Sequence, residues 1–79
     1  MVLVYPNPAN DQLIIKGMQQ NVEIKIYNAV GRLVKDVFLD NVQIEMVMAV
    51  GEWTPGIYTV QCLNSEGSEI YKESILIKH

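Results

Sequence analysis

VEIKIYNAVGRLVKDVFL, Val22 to Leu39, is the stretch that decides the fold. From Val22 to Tyr27 the residues alternate, with Val22, Ile24 and Ile26 on one side and Glu23, Lys25 and Tyr27 on the other. This period-two pattern is that of a half-buried strand. Asn28-Ala29-Val30-Gly31 then reads as a turn in which Gly31 can take positive φ. The run Arg32 to Leu39 places Leu33, Val37 and Leu39 on one face, with Val34 and Phe38 on the other. The two runs predict a β-hairpin.

Working outward, strand patterns recur at Val2–Tyr5, Gln12–Lys16, Gln43–Met48, Ile57–Leu63 and Glu69–Lys78. Asp40-Asn41, the turn-rich Gly51–Gly56 and Asn64–Gly67 separate them, and Thr54-Pro55-Gly56 suits a turn with Pro before a residue free to adopt positive φ. About seven short strands with a turn signal about every 8–12 residues predict an all-β sandwich. No window of about 11 residues holds a helical apolar stripe between caps. Neither an internal repeat nor a low-complexity stretch is visible, so one sheet-on-sheet core accounts for the chain as a single domain, residues 1–79.

Composition narrows the function. A chain of 79 residues with 49% hydrophobic and 19% charged residues is globular but short, leaving little room for a deep active site beside its core. Six Lys and Arg against nine Asp and Glu, formal net charge -3, supply no basic stripe for nucleic acid. Uninterrupted apolar runs reach only five residues, as in Met46–Val50, against the roughly 20 of a membrane-spanning helix. Met1 to Tyr5 lacks the basic and apolar regions of a secretory signal.

Chemistry-bearing residues are sparse. Cys62 stands alone and alternates with Tyr58 and Val60, the position of a buried thiol acting as a small hydrophobe. His79 is the last residue, where packed structure is not expected to hold it. A Ser-His-Asp triad therefore lacks its base, and a zinc site lacks its three or four ligands. Asp11, Asp36, Asp40, Glu45 and Glu52 form no calcium-loop motif and read as solvated charges. No catalytic residue, metal or cofactor is expected.

Pro6-Asn7-Pro8 poses a separate question. Each proline fixes its own φ, lacks an N–H and pushes Tyr5 and Asn7 toward extended conformations. The segment reads either as a rigid connection between sheet edges or as a stiffened element for another protein to grip.

Tyr5-Pro6-Asn7-Pro8-Ala9, then Asp11-Gln12-Leu13, Ile24-Lys25-Ile26-Tyr27-Asn28 with Gly31-Arg32-Leu33-Val34, then Pro55-Gly56-Ile57-Tyr58 and a lysine-flanked apolar end form an ordered set. The set resembles the C-terminal sorting domain of type IX secretion cargo. That resemblance implies a small Ig-like β-sandwich of about seven mostly antiparallel strands at the end of larger Bacteroidetes proteins. It implies a non-catalytic secretion signal that takes an upstream cargo domain through the periplasm to the outer-membrane type IX translocon. Removal by a sortase-like surface peptidase and attachment of the cargo at the cell surface follow in that family. By resemblance the recognition residues are Pro6, Asn7, Pro8, Gly31, Gly56, Tyr58 and the end of the chain, Lys72, Ile75, Leu76, Ile77 and Lys78. The last strand would be read through its edge. An isolated domain of this kind would begin on an added Met1 and carry no signal peptide. Trp53, where the family more often has an aliphatic residue, is expected to be buried.

Two other readings remain. Tyr5, Tyr27, Trp53, Tyr58 and Tyr71 could serve a carbohydrate-binding or adhesion module, with Tyr27 the clearest outward aromatic. Alternatively, the long Glu69–Lys78 strand could pair with another copy.

Overall fold

The computed structural model describes residues 2–17, 21–39 and 45–79. Its strands are β1 (Leu3–Tyr5), β2 (Gln12–Lys16), β3 (Val22–Tyr27), β4 (Leu33–Leu39), β5 (Glu45–Ala49), β6 (Gly56–Leu63) and β7 (Glu69–Ile77). They form two antiparallel sheets of order β1-β2-β5 and β4-β3-β6-β7. This is an Ig-like sandwich in which the fourth strand pairs with β3. The expected Asp40-Asn41 break and the start of the fifth strand at Gln43 lie outside the described residues.

Alternation builds the core as the sequence predicts. Val4, Leu13, Ile15 and Met48 point inward from one sheet, and Val22, Ile24, Ile26, Tyr58, Val60, Cys62, Ile75 and Ile77 from the other. Ala9 and Val50, on connecting segments, complete the buried set. None of the described polar or charged residues is buried, so the core contains no polar network that must be satisfied.

The two hairpins of the larger sheet share one turn design, Asn-x-x-Gly. In β3-β4, the Asn28 side chain accepts the Val30 and Arg32 N–H groups at 3.1 and 2.9 Å. In β6-β7, Asn64 accepts from Glu66 and Ser68, both at 2.9 Å. Gly31 and Gly67 occupy the left-handed region at φ 84° and 81°, as the αL position of this loop type requires. The parallel continues into the strands. Pairing jumps from Ile26↔Lys35 to Tyr27↔Leu33, and from Cys62↔Tyr71 to Leu63↔Glu69, leaving Val34 and Ile70 as bulged residues.

The first bulge corrects one expectation. Leu33 does not share the face of Val37 and Leu39, because the extra residue sets it opposite the outward Tyr27. Leu33 is accordingly 43% exposed, whereas Val37 and Leu39 pack against the core.

The burial pattern predicts a sharp contrast between two substitutions. Leu13→Ala, at a fully buried position, should cost about 2–5 kcal/mol and leave so small a domain largely unfolded in urea titrations. Val47→Ala, 51% exposed on the outer face of β5, should change stability by no more than about 0.5 kcal/mol.

Candidate functional site

The up-and-down course of the strands brings the β1–β2, β3–β4 and β5–β6 connections to one pole of the sandwich, together with the residues after β7. The chain enters at the opposite pole, next to Val2. Hydrogen bonds stitch the first pole together. Val50 N–H donates to Asp11 C=O at 2.9 Å, joining the β1–β2 and β5–β6 connections. Tyr58, at the start of β6, turns its hydroxyl back to Thr54 C=O at 2.6 Å, the arrangement of a tyrosine corner.

The proline segment crosses this pole from one sheet to the other. It leaves β1, lies along the outer edge of β7 and returns as β2. Ala9 N–H donates to Leu76 C=O and Lys78 N–H donates to Ala9 C=O, both at 2.8 Å. Asn7 adds Leu76 N–H to its Oδ1 at 3.0 Å and its own Nδ2 to Ser74 C=O at 3.4 Å. The Tyr5-Pro6 and Asn7-Pro8 peptides are both cis. These hydrogen bonds connect the two sheet edges, and they change the reading of the last strand. From Ser74 to Lys78 the β7 edge is already occupied, so it does not stand open to pair with another backbone.

Residues 3–78 match the model of the secretion system C-terminal sorting domain. The chain belongs to that family. Its sorting domain is a C-terminal signal for type IX secretion. The fold is shared with a chain from a structural study of PorZ, described as an essential bacterial surface component of the type-IX secretion system of Porphyromonas gingivalis. The two superpose with a TM-score of 0.82 at 23% identity, over 99% of the sorting domain and 11% of the PorZ-study chain. The sorting domain thus spans about a tenth of that chain's length. No curated protein matches its sequence.

The residues that carried the family resemblance fall into two physical groups. Pro6, Asn7, Pro8, Gly31, Lys72 and Lys78 are exposed, with Gly56 and Leu76 half-buried. Tyr58, Ile75 and Ile77 are 7%, 1% and 0% exposed, so their side chains build the core beneath the exposed group. Gly56 has φ 151° and open space where a Cβ would stand, so the backbone conformation rather than crowding favours glycine there. Lys72 stands apart from the pole along β7, paired in register with Gln61.

Trp53 is half-buried rather than enclosed. It packs against the core and meets Tyr58 with ring centroids 5.2 Å apart and planes tilted by 44°. The five aromatic candidates for glycan stacking do not assemble into a platform. Tyr5 lies on the outer face of the smaller sheet, Tyr27 on the outer face of the larger one, and Tyr58 and Tyr71 turn toward the core.

His79 is exposed, but two hydrogen bonds hold its ring, which the sequence did not lead one to expect. Its Nε2 lies 2.8 Å from Trp53 C=O and its Nδ1 2.9 Å from Asn10 Oδ1. Since a carbonyl can only accept, Nε2 carries a proton and donates. The sequence carried no signal for this contact, because Asn10 and Trp53 meet only when the β1–β2 and β5–β6 connections converge.

Burial pushes the Cys62 thiol up to about 11 from an ordinary value of 9.0. Tyr71 is also pushed up, first by burial and then by its hydrogen bond to Glu73. On the outer face of the larger sheet, Glu23 is raised chiefly by a hydrogen bond with Asp36, while Lys25 lies 3.9 Å away. Among the described residues, no three His, Cys, Asp or Glu side chains gather as metal ligands.

Two measurements follow from these environments. Tyr58→Phe removes the hydroxyl bonded to Thr54 while keeping the ring against Trp53, and should lower stability by about 0.5–1.5 kcal/mol with unchanged circular dichroism. The folded state holds the Cys62 proton more tightly than the unfolded chain, so stability is complete below about pH 9 and declines toward pH 11. Urea midpoints measured across that range should fall, and less steeply in Cys62→Ala.

Proposed function

We propose that the sorting domain works by presenting the pole opposite its point of chain entry to the outer-membrane type IX translocon. The supporting observation is convergence: Pro6, Asn7, Pro8, Gly31, Gly56 and Lys78, distant in sequence, lie at the pole farthest from Val2. A cargo domain joined upstream would therefore sit at the far end and leave the recognised surface clear. The domain is a non-catalytic address, with Lys72 on the outer face of β7 as a flanking contact. The expected route runs through the periplasm to the cell surface or the medium, with a sortase-like surface peptidase separating the cargo.

Ile75 and Ile77 belong to the core, so deleting Ser74–His79 would unfold the domain and could not isolate recognition. Surface substitutions that spare the core test the reading better. With residues 1–79 fused behind a periplasmic reporter, surface or medium reporter should appear in a type IX-competent host and be absent from its translocon-null counterpart. A Pro6→Ala, Pro8→Ala, Lys78→Ala combination should reduce export at least about tenfold, which corresponds to about 1.4 kcal/mol of lost recognition. Ser65→Ala with Glu66→Ala, at the opposite pole, should leave export unchanged. Reporter retained in the periplasm of both strains, with the domain folded, would overturn the proposal.

A further inference from the structure

The two asparagine turns of the larger sheet act as controls for each other. In both, the asparagine N–H donates to the carbonyl four residues on at 2.9 Å, and the glycine N–H donates back to the asparagine carbonyl, at 3.0 Å for Gly31 and 2.9 Å for Gly67. The side-chain bonds of Asn28 to Val30 and Arg32, and of Asn64 to Glu66 and Ser68, complete the same loop twice. Position by position, Ala29 corresponds to Ser65 and Val30 to Glu66. The loop bonds at these positions use backbone N–H groups, so the geometry accepts a polar side chain as readily as an apolar one, and turns ordinarily carry polar residues. The Ser65-Glu66 tip keeps that rule and the Ala29-Val30 tip breaks it.

Val30 is 86% exposed, the most exposed large hydrophobic residue among those described, and it takes no part in the core. Folding therefore gives no reason for a valine there, whereas its position does. The Ser65-Glu66 tip lies at the pole of chain entry, and the Ala29-Val30 tip lies at the pole that carries Pro6, Gly56 and Lys78. Beside Val30 a cleft of about 320 Å³ lies between the β3–β4 and β5–β6 connections, lined by Val34, Pro55, Ile57 and Tyr58 among others and, among the described residues, by no charged one. Val34 and Ile57 are 41% and 49% exposed, so three accessible aliphatic side chains border one uncharged hollow. Asn28 and Gly31 fix the loop before any partner arrives, which lowers the ordering cost of a contact at its tip.

We infer that Val30 is a recognition residue of the sorting domain: with Val34 and Ile57 it grips one bulky uncharged side chain, aliphatic or aromatic, that the secretion machinery seats in this cleft. A charged anchor would be left unpaired against such a lining. The inference rests on the proposed recognition of this pole and adds the chemistry of the contact.

The experiment uses the reporter fusion of residues 1–79 in the type IX-competent host, with urea titration of each purified domain. Val30→Ser and Val30→Glu, the second of which copies the sister turn, should each lower surface reporter at least about tenfold with the urea midpoint unchanged. Val30→Leu returns apolar surface without charge and should restore most of the export that Val30→Ser loses. Glu66→Val, the reverse exchange at the far pole, should leave export as it is. Normal export of Val30→Ser and Val30→Glu would overturn the inference, as would a loss that tracks a lowered urea midpoint or that Glu66→Val produces equally. If export survives the Val30 variants but not the Pro6, Pro8, Lys78 combination, the inference falls and the reading of the pole stands. If export survives that combination but not the Val30 variants, the contact at Val30 stands and the proline-lysine surface loses its role. An unaltered domain held in the periplasm overturns both.

Discussion

Ala9 joins the two sheets, and much of the structure depends on that junction. Its backbone spans Leu76 and Lys78 on β7 while the chain on either side of it belongs to β1 and β2. Ala9 is fully buried, so the bridge is shielded from water and any larger side chain would meet the core. A domain this short has little apolar surface to spare. Tying the first connection to the last strand closes an edge and brings distant parts of the sequence to the same pole.

This constraint accounts for the character of Pro6-Asn7-Pro8. A flexible linker at this place would lose more conformational freedom on ordering. Prolines reduce that loss, and between them the asparagine supplies a side chain that hydrogen-bonds as a peptide does. The same segment therefore connects the sheets and covers an edge.

The two asparagine-capped hairpins give the larger sheet its regularity. Each turn uses Asn to accept two backbone N–H groups and Gly to adopt the left-handed conformation, and each is followed by a bulge. The bulges turn Leu33 and Ile70 outward, to 43% exposure in each case. On β7 the alternation then resumes, so that Ile75 and Ile77 reach the core beside Tyr58. The turn chemistry thus fixes which end of β7 is structural.

The strands, their faces and most of the core were legible in the sequence because alternation is local: Val22, Ile24 and Ile26, or Tyr58, Val60 and Cys62, declare a buried face without any partner. The family was legible too, from an ordered set of turn and strand motifs matched over residues 3–78. What only the tertiary structure decided depends on contacts between remote segments. The placement of Leu33 required the register of β4 against β3, and the anchoring of His79 required Asn10 and Trp53 to converge. The role of Asn7 required β7 to lie beside the β1–β2 connection, because hydrogen bonds across 67 and 69 positions leave no periodic trace in the chain.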